Sequence, residues 1–429
     1  MAKVKICKLF NLEKGSLQSS KCTPGQYNFI TAAEKWKTHN MYTHDIEALV
    51  FAAMASGSLG RTHYVNGKFI ASDLCYIMTP KDSKKYPINI PFYYFVFNSL
   101  RDDIVKNTKS GTSKEAINQT NLKNYEIPYF DIEQQNLWIE KLKKTRQIKE
   151  ELIKEFKNQQ TLLKKLRQSI LQEAIEGKLT KTWRESHPNI EPALVLLEKI
   201  KAEKEQMLKE KKIRKQKPLP PISEEEKPFE IPEGWQWCRL GDISIIGTGA
   251  TPLTSNEEYY KNGTINWITS SATGKDFVYE AEKKITQKAI DETNCNVNPV
   301  GTLVIAMYGQ GKTRGQITEL MIEASTNQAC ATINPYLTDN ILIQFIKRYF
   351  KKTYLDIRKL AAGGAQPNLN MTKIKNTNIP LPPLEEQKEI VKKIESLFEI
   401  CDELEKQINN AKINSEMLMQ STLKEAFAG

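Results

Sequence analysis

NMTKIKNTNIP, residues 370–380, repeats NQTNLKNYEIP, residues 118–128, at six of eleven positions: Asn118, Thr120, Lys123, Asn124, Ile127 and Pro128 recur 252 residues later. The same offset, without a gap, aligns Gly111 with Gly363, Glu133 with Glu385, Gln135 with Gln387 and Lys141 with Lys393. It closes on RQSILQEAIEG (167–177) against MQSTLKEAFAG (419–429). So long a register without insertion predicts two segments of equal length and one shape. Upstream the matches are shorter: CKL (7–9) with CRL (238–240), YNFITAAE (27–34) with INWITSSA (265–272), CYIMTP (75–80) with CATINP (330–335). Cys7 to Cys75 spans 68 residues and Cys238 to Cys330 spans 92, so the halves are expected to share a scaffold and to differ by 24 residues of loop.

The repeated tail of each half predicts a long helix. Ile390, Ile394, Leu397, Cys401, Leu404 and Ile408 fall at steps of four and three, a heptad seam. The first copy carries Leu142, Leu152, Phe156, Leu163, Leu166 and Ile170 in the same frame, interrupted by Thr145, Lys149 and Gln159. No proline interrupts 131–177 or 384–429, so each helix can run about 40 residues, on the order of 60 Å. A stripe this narrow needs a partner helix, and the other copy is the obvious one. A two-fold relation between the copies makes the pair antiparallel. The fold class expected is α+β: two α/β heads joined by two long helices in an antiparallel coiled coil. The first head is expected over 1–130, its helix over 131–178, a basic and Pro-rich linker over 179–232, the second head over 233–383 and its helix over 384–429.

Composition narrows the function. The longest apolar run, IPFYYFVF (90–97), is too short for a membrane span, and MAKVKICKLF has no long apolar core or cleavage-site pattern, so secretion is not expected. Seven scattered cysteines with no CxxC pair read as ordinary thiols, so a cytoplasmic protein is expected, with no metal. His39 and His44 lie five apart with no third ligand nearby and are assigned to the surface or the DNA side. Net charge +11 favours a polyanionic partner.

Apolar stretches at 48–54, 69–79, 302–308 and 329–334 predict strands in the heads. Between them run loops rich in Lys, Arg, Gln, Asn, Ser and aromatics: AAEKWKTH (32–39), SLGRTHYVNGK (58–68), TSSATGK (269–275) and YGQGKTRGQ (308–316). Such side chains read base edges and hold phosphates. Enzymatic motifs fall short. AMYGQGKT (306–313) has Ala306 where a Walker A loop needs glycine, GTGATP (247–252) has Pro252 for the last glycine of GxGxxG, and NPY (334–336) lacks the second proline of an adenine methyltransferase. Asp276, Glu282 and Lys284 form a nuclease-like triplet no better than chance in a chain so rich in Glu and Lys. No catalytic residue is assigned.

The linker contains LLEKIKAEKEQMLKEKKIRKQK and then PLPPI, an amphipathic helix using Leu196, Ile200, Met207 and Ile213, ended by Pro218, Pro220 and Pro221. Eight basic residues face three acidic ones over 201–217, a solvated face or a strip for phosphate or a partner subunit.

IPEGWQWCRLGDI (231–243), NIPLPPLEEQKEIVKKIE (378–395) and LLEKIKAEKEQMLKEKKIRKQKPLPPI (196–222) resemble the specificity subunit of type I restriction–modification systems, over essentially the full chain. The first half departs from that pattern, lacking a PEGW entry and reading IPYFDIEQQ for IPLPPLEEQ. The resemblance implies two target-recognition domains that read the halves of a bipartite asymmetric DNA site, with the helices fixing the spacing. It implies two methyltransferase subunits as partners, which bind S-adenosylmethionine, and restriction subunits using ATP and Mg²⁺. This chain itself then needs no cofactor and no catalysis. By that analogy the DNA-contacting candidates are Lys35, Lys37, His39, Arg61, His63 and Lys68 in the first head. In the second they are Thr269, Ser270, Ser271, Tyr308, Gln310, Lys312, Arg314, Gln316, Gln366 and Asn368. The alternatives are a coiled-coil scaffold that binds proteins and a stand-alone DNA-acting enzyme.

Overall fold

The computed structural model describes residues 2–54, 57–110, 115–309, 312–362 and 369–427. The chain forms two compact units, Met1–Asn158 with Gln407–Gly429, and Gln159–Lys406.

In the first unit, six strands lie in the order Phe10–Lys14, Cys75–Pro80, His44–Ala52, Thr62–Ala71, Tyr27–Ile30, Lys37–His39. The run ALVFA does not alternate because both its faces are buried. Ala48, Val50 and Ala52 pack with Ile30, Phe69, Cys75 and Ile77. Leu49 and Phe51 pack on the opposite face against Phe92, Val96 and Phe97 of helix Ile90–Ser99. The apolar run 90–97 is therefore a core helix, entered through Asn89, whose side chain accepts the Phe92 N–H. The stretch 69–79, expected as one strand, is two. A turn at 72–74 closed by the Cys75 N–H on Ser72 O redirects the chain, so the two pieces flank strand His44–Ala52 on opposite sides.

In the second unit, five strands run in the order Ser244–Thr248, Cys330–Pro335, Leu303–Ala306, Ile317–Leu320, Phe277–Val278. A three-stranded sheet beside them orders Lys283–Ile285, Ile265–Ile268, Ser325–Thr326.

Ladder registers match the two heads residue by residue. Val4 pairs with Ile127 as Cys238 pairs with Ile379, and the Ile6 N–H bonds Tyr125 O as the Leu240 N–H bonds Thr377 O. The chain entry is thus offset by 234, and the CKL/CRL match, which implies 231, is a coincidence three residues out of register. By contrast YNFI and INWI occupy equivalent strands, each parallel to the strand leading into CYIMTP or CATINP. Those two hexapeptides are equivalent at an offset of 255. The halves therefore differ by 21 residues before the shared strand, not 24. Much of the excess lies in the turn 270–274, strand Phe277–Val278 and helix Gln287–Glu292 of the second head.

The repeated string has a job for most of its identities. Asn118 and Asn370 cap short helices, accepting from Asn121 and Lys373 N–H respectively. Asn124 and Asn376 donate to the carbonyls of Thr120 and Thr372 four residues back. Ile127 and Ile379 are fully buried in the strands that follow. Gln135 and Gln387 each donate to the carbonyl five residues earlier, at Phe130 and Pro382.

The long helices are Ile132–Ile175 and Leu384–Phe427, 44 residues each, or about 66 Å. Gly177, at φ +71°, ends the first, with the Lys178 N–H on Glu173 O. In the second unit the helices run antiparallel: Arg167 pairs with Asp402 at 2.6 Å and Glu405 at 3.2 Å, while Lys393 reaches Leu179 O at 3.2 Å. Phe156, Leu163, Ile170, Ile390, Ile394 and Cys401 are buried; Leu152, Leu397 and Ile408 are half-buried. The expected seam needs three corrections. Leu142 belongs to the first head's core, with Ile139. Leu166 is 45% and Leu404 40% exposed. Next to Leu166, the Arg167 guanidinium lies 5.4 Å over the Phe398 ring and occupies the interface instead.

The linker helix is Ala193–Lys209, with Ala193, Leu196 and Ile200 buried; it stops before Ile213. Beyond it, the buried Arg239 guanidinium donates to Pro220 O, Pro221 O, Asn376 O, Asn378 Oδ1 and Glu226 Oε2. One side chain thereby straps the PLPP segment to the repeated string. The PEGW and LEEQ motifs meet at Glu386, which has no exposed surface. Its Oε1 accepts from Thr180 Oγ1 at 2.7 Å and Arg184 Nη1 at 2.5 Å, and its Oε2 from Trp235 Nε1 at 2.8 Å.

Candidate nucleic-acid interface

Both heads place the same two loops side by side. In the first head, Gly60 (φ +75°) turns the chain between strands His44–Ala52 and Thr62–Ala71; in the second, Gly315 (φ +82°) does so between Leu303–Ala306 and Ile317–Leu320. A positive φ favours glycine at both turns. The Gly60 N–H bonds Ala52 O and the Ala52 N–H bonds Arg61 O; the Gly315 N–H bonds Ala306 O and the Ala306 N–H bonds Gln316 O. Arg61 and Gln316 are therefore equivalent.

In the first head, Arg61 Nη1 donates to Ala32 O at 2.9 Å and Ser58 Oγ at 3.1 Å, stapling loop 31–36 to loop 57–61. Trp36 donates its indole N–H to His63 Nδ1 at 3.2 Å. Burial holds the His63 imidazole below its ordinary pKa of 6.5, consistent with a neutral ring accepting at Nδ1. Lys35 and Lys37 are exposed beside this cluster.

Two first-head assignments are corrected. His39 is 4% exposed and joins the backbone of Thr23 at 3.0 Å, so it is a structural side chain. His63 is also buried and acts by holding Trp36, which is 38% exposed and was not among the candidates. Lys68 is exposed but lies six residues along the strand from Thr62, roughly 20 Å away. There its ammonium sits 5.0 Å over the Tyr42 ring.

In the second head the turn Ser270–Gly274 packs on strands Leu303–Ala306 and Ile317–Leu320. This brings Thr269, Ser270 and Ser271 near Gln316, whose Oε1 lies 3.8 Å from the position of a Cβ on Gly274. Thr269 and Ser271 hydroxyls are bonded at 2.8 Å. Tyr308 and Lys312 are exposed, Arg314 and Gln316 half-buried. Lys312 O accepts from the Tyr354 hydroxyl of helix Asn340–Ala362, which steadies the hairpin. Gln310, Gln366 and Asn368 lie outside the described residues.

Beneath these loops is an ionic layer that the sequence did not reveal, buried at its Lys347–Glu319 pair and open to solvent at Asp276. Lys347, with no exposed side-chain surface, pairs with Glu319 at 2.9 Å and lies 3.5 Å from the Phe277 ring centroid. Gln344 adds a 2.8 Å bond to the same carboxylate oxygen. Lys351 pairs with Asp276 at 2.6 Å, just after the turn, and the Glu319 N–H bonds Asp276 O. Burial pushes both lysines below the ordinary value of 10.5, against the pull of their carboxylates. Applying the 255 offset upstream of CATINP would have placed Gly315 on Gly60 and Gln316 on Arg61. Nothing in the sequence singles out Lys347 among so many lysines.

Among the described residues, no group of three or more His, Cys, Asp or Glu side chains could hold a metal, and no helix is long and apolar enough to cross a membrane.

Two heads of one fold, each with paired polar loops at a strand turn and each joined to a long helix, define a duplicated recognition frame. The chain belongs to the family of the type I restriction modification DNA specificity domain, whose model matches residues 1–161 and 232–412. It is similar to the type I restriction enzyme EcoDI specificity subunit of Escherichia coli, at 28% identity over 99% of this chain and 87% of that one. The EcoEI and EcoAI specificity subunits of the same organism are 30% and 32% identical over 57% and 58% of this chain; each match spans 42% of the relative's length. Among solved structures, the fold resembles the HsdS subunit from Thermoanaerobacter tengcongensis (TM-score 0.55, 16% identity, 100% and 96% of the two chains). It also resembles a chain from a structural study of complex assembly and conformational transition of the type I R-M system (TM-score 0.64, 16% identity, 99% and 97%).

Proposed function

We propose that this chain is the DNA-reading subunit of a type I restriction–modification complex, cytoplasmic and itself without catalytic residues or cofactor. Each head reads one half of a bipartite asymmetric site through its paired loops, and the antiparallel helices fix the spacing between the halves. The complex supplies chemistry through two methyltransferase subunits using S-adenosylmethionine, and through restriction subunits with ATP and Mg²⁺. The supporting observation is the equivalence of Arg61 and Gln316: one backbone position, at one turn, carrying a different polar side chain in each head. Polar groups held on rigid turns can discriminate base edges at roughly 1–3 kcal/mol per good contact.

Co-expression with a neighbouring adenine methyltransferase, followed by mapping of methylated adenines in host DNA, tests this. A single bipartite motif with a fixed gap is expected. An assembled complex that adds no methylation would overturn the proposal.

A further inference from the structure

We propose that residues 209–217, the tip of the linker, form a sequence-independent grip on the DNA backbone, separate from the recognition loops. This rests on the DNA-reading function proposed above. KEKKIRKQK carries six basic residues and one acidic, a net +5 of the chain's +11. All of it is exposed except Ile213. Of these six, only Lys212 has an ion-pair partner among the described residues, Glu210 at 2.7 Å; Lys209, Lys211, Arg214, Lys215 and Lys217 have none.

The tip is held at both ends within its unit. On one side the helix Ala193–Lys209 is anchored by buried Leu196 and Ile200 and by the Ala193 N–H on Gly234 O. On the other, Arg239 clamps Pro220, Pro221 and Glu226. Between them the helix ends in a tight reversal, with the Lys212 N–H on Met207 O and the Lys211 N–H on Leu208 O. Lys211 occupies its left-handed position at φ +57°, where glycine is the favoured residue. A lysine at a glycine position, in the middle of an uncompensated cationic turn, indicates that its charge is used. Protein-binding surfaces centre on apolar and aromatic anchors and are depleted in lysine; this tip offers exposed charge and no exposed apolar side chain. Phosphate is the ligand that suits it.

The test measures binding of the full chain to duplexes of unrelated sequence by fluorescence anisotropy between 50 and 200 mM salt. The variants are Lys211→Gly and a quadruple Lys209→Gln, Lys211→Gln, Lys215→Gln, Lys217→Gln. Each phosphate contact contributes about 0.9 to the slope of log K against log salt. The quadruple variant should therefore flatten the slope by roughly 3–4, and Lys211→Gly by about one, equally on every sequence. Lys211→Gly should keep or raise the melting temperature, which separates lost charge from lost fold. Wild-type slopes in both variants overturn the grip and leave the DNA-reading proposal standing. A wild-type chain that binds no duplex even at 50 mM salt removes both proposals.

Discussion

Replacing Glu386 with alanine should destabilise the second unit selectively. The carboxylate is fully buried and takes three donors: the Thr180 hydroxyl, the Arg184 guanidinium and the Trp235 indole. Removing it strands two buried donors and an arginine whose side chain is only 21% exposed. Breaking one side of such a buried pair costs about 3–5 kcal/mol, because the remaining charge is neither paired nor hydrated. Arg184 keeps its two 3.1 Å bonds to Gly177 O, which points to the lower end of that range. For a unit of this size each kcal/mol lowers the melting temperature by about 2–4 °C, so a drop of about 6–20 °C is expected. The repeat supplies its own control. Gln134, 252 residues upstream, occupies the same helical position but is exposed, so Gln134→Ala should change stability by no more than about 0.5 kcal/mol. Differential scanning calorimetry of the full chain reads both. A Glu386→Ala shift below about 2 °C, or equal shifts in the two variants, would refute the reasoning.

Lys347→Met should destabilise the second unit by about 3–5 kcal/mol by leaving the Glu319 carboxylate buried and unpaired, and adding Glu319→Gln should recover most of the loss in urea titrations. Because burial lowers the folded pKa of Lys347 and Lys351, their penalty is fully present at neutral pH; it is relieved as pH rises from the lowered folded value towards 10.5, since the unfolded chain then holds more protons. Stability should therefore climb with pH in that window, and climb less in Lys351→Met. Arg239→Ala should free the PLPP strap, seen as faster cleavage by a Glu-specific protease at Glu224, Glu225 and Glu226; Arg239→Lys should not rescue it, because an ammonium cannot span five acceptors as the planar guanidinium does. Lys312→Ala with Arg314→Ala should weaken duplex binding; loss on all sequences alike marks phosphate contacts, and relaxation at one base pair marks a base contact.

The frame was legible because its residues have jobs that survive divergence. Asn caps, buried Ile127 and Ile379, and the back-bonding Gln135 and Gln387 stay identical where backbone groups demand one chemistry. The 252-residue register and the presence of two long helices followed from them. Upstream, packing tolerates substitution, so Tyr64 and Glu319 share a ladder position with no likeness between them. There a chance Cys-x-Leu match outweighed the true register by three residues. The helix seam failed at Leu166 for a similar reason, since heptad counting sees apolar residues and not an arginine whose stem packs on Phe398. In the heads, exposure could not be read from residue type. His39 and His63 looked like surface histidines, whereas their ring nitrogens serve Thr23 and Trp36 inside the fold.

The contrast between frame and tips bears on what kind of target the protein can read. Two identical heads carried by antiparallel helices would present identical side chains to the two strands of a duplex, and a duplex that satisfies both must be palindromic. Here the turn is kept, with Gly60 and Gly315 in one conformation, while the residue beside it changes from Arg61 to Gln316. Arg61 spends part of its guanidinium on Ala32 O, and Trp36 rests on His63. The second head instead builds its adjoining loop from hydroxyl residues, over the Lys347–Glu319 layer. Arg favours guanine and Gln favours adenine in the major groove. Under the proposed function the two heads would therefore suit different half-sites, and an asymmetric target would follow from unlike tips on a duplicated frame rather than from any asymmetry in the frame itself.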